Sequence, residues 1–169
     1  MTSVRNSTGK SSPAGLARLD ALLEILGPAW HAAIGADLAN RTPLKFLAAG
    51  YADPYVVKRL GRTRLARFCY RHSRGAWGEP HADALLAAAN QTLELWSGGE
   101  LDYPDLAEDI AIEARLALQL TEEIKDLDER TTLLLKQADP NGILTSAPGV
   151  AAITAATILG RLGDRKSVV

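Results

Sequence analysis

The chain has 169 residues, 47% apolar, 23% charged and 5% aromatic, with 19 Lys and Arg against 20 Asp and Glu. That length argues for one domain or two small ones, and the apolar content is enough to bury a core, which excludes wholesale disorder. No apolar run approaches the roughly 18 residues of a membrane span, and the first fifteen residues lack the apolar stretch of a secretory signal. A single cysteine, Cys69, excludes an internal disulfide and a thiolate metal site. The expectation is a cytoplasmic protein with no membrane partner.

Ala and Leu dominate, 28 and 26 residues, while Val and Ile are sparse, so helix propensity outweighs strand propensity. The fold class expected is all-α. The near-zero net charge hides a gradient: residues 1–75 hold 12 Lys and Arg against 4 Asp and Glu, and residues 76–169 hold 7 against 16. The two parts are oppositely charged, +8 and −9.

In chain order, residues 1–14 are small and polar and read as a disordered lead. From Gly15, Leu16, Leu19, Leu22, Leu23 and Leu26 recur at helical spacing; Gly27-Pro28 ends that helix and opens another carrying Trp30, Ile34 and Leu38. Thr42-Pro43 and Asp53-Pro54 each set a capping side chain before a proline, predicting short helices near 43–49 and 54–60. Gly61 separates the second of these from a segment running from Thr63 to about His72, and Ser73, Gly75 and Gly78 mark a break. After Glu79-Pro80 comes an amphipathic helix with Ala82, Leu85, Leu86, Ala89, Leu93 and Trp96 on one stripe, ended by Gly98-Gly99. These elements make a helical linker region over 15–98.

From Tyr103 to Gln137 nothing breaks a helix. Leu106, Ile110, Ala117, Leu120, Ile124, Leu127 and Leu134 follow a heptad spacing, with Glu113 and Thr131 at the remaining seam positions. Residues 99–138 thus read as a long acidic coiled-coil helix and a homo-oligomer contact, or as a packed helix with a solvated acidic face. Asp139-Pro140 opens a further short helix, and a last helix covers about Ala151 to Leu162.

Two features carry candidate chemistry. Lys58, Arg59, Arg62, Arg64, Arg67, Arg71 and Arg74 form a basic run with no acid among them. Spacings of three and four bring Arg64, Arg67, Arg71 and Arg74 to one face, a stripe suited to phosphates. Phe68, Tyr70 and His72 interleave with it as base-stacking candidates. The alternative is neutralisation within the fold by the acidic 100–130 segment. The second feature is Ile143 to Val150 leading into Ala151 to Ala156, which has the pattern of a helix-hairpin-helix. In that device Pro148, Gly149 and Val150 make the turn, and the N–H groups opening the next helix face a DNA phosphate. Ala151 stands where a second glycine is usual, and a plain packing hairpin is the alternative.

No catalytic residue emerges. His31, His72 and His81 are scattered and read as surface or packing residues, the acid pairs sit on one acidic helix, and no glycine-rich phosphate loop occurs.

Asn40 to Leu47, Gly61 to Phe68, the long Leu/Glu helix and Thr145-Ser146-Ala147-Pro148-Gly149-Val150 with its following alanines together resemble bacterial insertion-sequence transposases of the IS one-ten and one-sixteen type. The resemblance runs over about residues 16–164. It implies a linker, a dimerising coiled coil and the opening of a C-terminal transposase domain over 139–163. The family's magnesium-binding acids and catalytic serine would then lie outside this chain, leaving no cofactor in it. The partners implied are DNA and a structured guide RNA, with Arg62, Arg64, Arg67 and Arg71 on the nucleic-acid backbone and DNA transposition as the activity of the whole. The alternative function is a non-enzymatic helix-hairpin-helix DNA-binding or helical scaffold protein. Residues 164–169 match one frame of a common sequencing-adapter DNA, so the expectation is a fragment with an artefactual tail.

Overall fold

The computed structural model describes residues 13–34, 38–139, 141, 143, 146 and 151–163. Among them are seven α-helices and no strand, so the chain is all-α. The helices are α1 Pro13–Leu26, α2 Pro28–Ile34, α3 Arg41–Ala48, α4 Pro54–Ser73, α5 Glu79–Leu95, α6 Tyr103–Ala138 and α7 Ala152–Gly163. Two compact units divide the chain at Thr121 and Glu122, with α6 running from the first into the second.

Local chemistry explains most boundaries in the first unit. Pro13 opens α1, where a missing N–H costs nothing. Gly27, at φ 116°, turns the chain from α1 into α2 while its N–H donates to the Glu24 carbonyl at 3.1 Å. Asp53 caps α4 as its carboxylate accepts from the N–H groups of Tyr55 and Val56 at 2.7 and 3.3 Å. Thr42 does not cap α3: the cap is Asn40, and Thr42 lies within the first turn. Its hydroxyl is drawn away to the His72 carbonyl at the end of α4, 3.1 Å distant. The glycine break expected at position 61 is present: Gly61 sits at φ 69° and ψ 167°, non-helical values that divide α4 into two helical segments across a kink.

The core of this unit is built from Leu19, Leu23, Trp30, Phe46, Leu65, Leu85 and Ile110, all without solvent exposure. Fully burying such side chains stabilises by about 1.5–3 kcal/mol each. α4 packs along α5, which also carries α2, while α3 leans on α4 and α1 on α2. The first half of α6 closes the core through Tyr103, Leu106, Ile110, Ala114 and Ala117. These include the opening positions of the heptad seam, so that half of the seam is occupied within the chain. In the second unit Leu135 and Ala155 are buried, whereas Leu127 and Leu134 are exposed.

Candidate functional site

The basic run divides into members with different fates. Arg62 grips α5, its Nε 2.6 Å from Asp83 Oδ1 and its Nη2 3.0 Å from Asp83 Oδ2 and 2.9 Å from Glu79 Oε2. The bidentate hydrogen bond and charge of Asp83, with the charge of Glu79, hold the guanidinium still more firmly protonated than usual. The same hydrogen bond lowers the pKa of Asp83. The neutralising acids are therefore on α5, not in the 100–130 segment. Arg62 is a helix-to-helix clamp.

Lys58, Arg59, Arg64, Arg67 and Arg71 are exposed, and none pairs with an acid among the described residues. Arg64, Arg67 and Arg71 share one face by helical spacing. The kink at Gly61 breaks the helical phase between them and Lys58 and Arg59. Of the interleaved rings only Tyr70 is exposed. Phe68 belongs to the core margin, with its ring centroid 4.9 Å from Tyr51 and 4.3 Å from His72. Packing has consumed both Phe68 and His72 as stacking platforms. Pro148, Gly149 and Val150 lie outside the described residues, as does the tight turn assigned to them.

A second location gathers polar groups that the sequence left scattered. A cleft of about 880 Å³ opens between the ends of α2 and α4 and the starts of α3 and α5, lined among others by Arg41, Thr42, His72, Arg74, Trp77 and His81. Its volume falls within the range of small-molecule sites, roughly 300–1,000 Å³. No Asp or Glu is among its described lining residues. Its described basic lining residues are Arg41 and Arg74.

The cleft is shaped by how α4 ends. Arg74 caps α4 in the left-handed region, φ 55° and ψ 37°, the single described non-glycine residue at positive φ. This conformation costs an L-residue about 1–2 kcal/mol, and a glycine is usual there. Ser73 then stitches the turn: its hydroxyl accepts from the Trp77 N–H at 2.7 Å. Trp77 lies flat against His81, centroids 4.9 Å apart and planes 10° from parallel. The result is a two-ring platform beside Arg74. His72, on the same wall, has its pKa lowered by burial and then by the positive charges of Lys45 and Arg71.

No family model matches the chain, and no solved structure matches it. The chain is similar to the cobalamin biosynthesis protein CobD of Stutzerimonas stutzeri, with 34% identity over 93 residues. The match covers 51% of this chain, which spans 29% of the length of that relative. Nothing in these comparisons points to a transposase, and the named relative is neither a transposase nor a DNA-binding protein. The likeness to insertion-sequence transposases, and with it the expectation of DNA transposition, recombination and DNA binding, is corrected by this finding. Its physical weakness is plain in the motifs: Thr-Ser-Ala-Pro-Gly-Val is built of small turn-forming residues that suit any joint between two helices.

Sequence reasoning missed Arg41, Thr42, Trp77 and His81 as neighbours of Arg74. Trp77 lies one residue ahead of the α5 cap Gly78, so its stack on His81 is no helical pair and helical spacing gave no signal for it. The approach of α3 to the end of α4 has no counterpart in periodicity. Among the described residues no three His, Cys, Asp or Glu side chains converge as a metal site. Cys69 is buried, and burial pushes its thiol up to about 11, a thiol rather than a nucleophilic thiolate at neutral pH.

Proposed function

We propose that residues 13–121 form a binding unit for a small anionic ligand bearing a planar ring, and that the unit serves a protein of cobalamin biosynthesis. The observation that carries this reading is the cleft in which Arg74 stands beside the stacked Trp77 and His81. Guanidinium groups match phosphate or carboxylate oxygens with forked donors, and the ring pair offers a flat apolar surface for a heterocycle. His72, its pKa lowered by burial and by the charges of Lys45 and Arg71, adds a hydrogen-bonding group to the same wall. The link to cobalamin biosynthesis rests on the likeness to the Stutzerimonas protein and extends to the ligand's pathway alone.

Calorimetric titration with adenosine monophosphate and with inorganic phosphate tests the site. The mononucleotide is expected to bind saturably and more tightly than phosphate. Arg74→Gly keeps the left-handed turn while removing the charge, and it should weaken both ligands about tenfold or more, the value of a charged hydrogen bond of about 1.5–3 kcal/mol. Trp77→Ala should weaken the mononucleotide alone. Absence of saturable binding, or an Arg74→Gly protein that binds unchanged, would overturn the reading.

A further inference from the structure

The exposed basic face of α4 has an acidic counterpart on the same unit. On α6, Asp105, Asp109, Ile112 and Leu116 fall within one helical face, by steps of four, three and four, and all four are exposed. Ile112 is 48% and Leu116 49% accessible, on the side of α6 away from the buried Ile110, Ala114 and Ala117. Glu108, at the edge of this face, is already held by Arg115 at 2.8 Å, but neither Asp105 nor Asp109 shares an ion pair with a described cation. The α4 face carries Arg64, Arg67 and Arg71, with an exposed Tyr70, 64% accessible, at its edge beside Arg67. Each face thus joins like charges to exposed apolar side chains, and the signs are opposite.

We infer that these two faces meet between copies: the Arg64, Arg67 and Arg71 face of α4 in one molecule docks on the Asp105 and Asp109 face of α6 in a second, with Tyr70 against Ile112 and Leu116. The choice of occupant follows from charge. A symmetric α6-to-α6 coiled coil would bring Asp105 and Asp109 rows, and the acids at 122, 123, 126 and 129, toward their own copies, and like charges in register repel. Basic on acidic removes that repulsion and covers the exposed apolar side chains in the same contact. The arrangement proposed is a closed two-fold pair, in which the contact is made twice because each molecule offers both faces. Rim charges of this kind act mostly on encounter and are screened by salt, so the association is salt-sensitive.

Sedimentation velocity on the full chain at about 50 mM and about 500 mM salt, either side of a Debye length near 10 Å, gives the first measure. The expected result is dimer at low salt and at least tenfold weaker association at high salt. Arg67→Glu with Arg71→Glu should leave a folded monomer by circular dichroism, and so should Asp105→Lys with Asp109→Lys. An equimolar mixture of the two variants should dimerise again, because both contacts are then complementary. A wild-type monomer at low salt overturns the proposal. So do charge reversals that leave association unchanged, a mixture that stays monomeric, and a salt-resistant dimer lost on Leu127→Ser with Leu134→Ser. These readouts do not depend on ligand binding in the cleft, so either reading can fail alone.

Discussion

Thr92 is the buried polar point on which four helices converge. Its hydroxyl accepts the Trp30 indole N–H at 2.7 Å and is shared as donor between the carbonyls of Leu26 and Ala88, at 2.8 and 3.0 Å. Its own carbonyl accepts the Tyr103 hydroxyl at 3.3 Å. Leu26 is the last residue of α1, so this hydroxyl also satisfies one of the carbonyls that a helix end leaves open. Thr92→Val keeps the shape and strands the indole N–H in the core, a loss of about 1–3 kcal/mol. Urea unfolding should show that loss as a lower midpoint with unchanged slope, while Thr92→Ser stays near wild type. A valine variant as stable as wild type would mean the relay contributes nothing net. The apolar stripe of α5 was readable, since Ala82, Leu85 and Ala89 are buried as spaced. Thr92 was not, because a hydroxyl on a buried stripe declares itself only when its partners, 62 and 66 residues away in sequence, are known.

At the scale of the element, α4 shows how two backbone exceptions differ. Gly61, with φ 69° and ψ 167°, occupies a region that other residues scarcely enter, whereas Arg74 lies in the ordinary left-handed well. No heavy atom lies within 4 Å of a side-chain carbon built at Gly61, so substitution there meets no steric wall. The cost of Gly61→Ala is therefore conformational, about 1–3 kcal/mol. Gly61→Asn should fail to recover it, because Asn favours the left-handed well and not this one. Thermal melts of the two variants check the claim; an Asn variant of wild-type stability would place position 61 in the left-handed well instead. The glycine's role as a break was legible from its flanks. The grip of Asp83 and Glu79 on Arg62, one residue past that break, was not legible, because it is a tertiary contact. The clamp also explains why the basic run is not one stripe: tertiary pairing claims Arg62 and the end of the helix claims Arg74.

At the scale of the whole molecule, α6 carries its support unevenly. Its first half buries Tyr103, Leu106, Ala107, Ile110, Ala111, Ala114 and Ala117, whereas Leu135 is the buried hydrophobic residue described in the half beyond Thr121. The heptad spacing was visible over the full length, and spacing alone cannot say whether a seam meets its own bundle, another chain or water. Burial now separates these: the bundle takes the first half and leaves Leu127 and Leu134 to solvent. Amides opening by local unfolding report this difference, because a helix held by few apolar contacts opens at a lower free energy than one locked in the core. Hydrogen exchange read by mass spectrometry on dilute protein should therefore protect residues 106–120 far longer than 124–137. Raising the protein concentration should extend protection over Asp105 to Leu116 and the Arg64 to Arg71 face if copies dock there. Added protection confined to 124–137 would instead mark a coiled coil through Leu127 and Leu134. Equal protection along all of α6 at low concentration would show that the second unit locks its helix as firmly as the first.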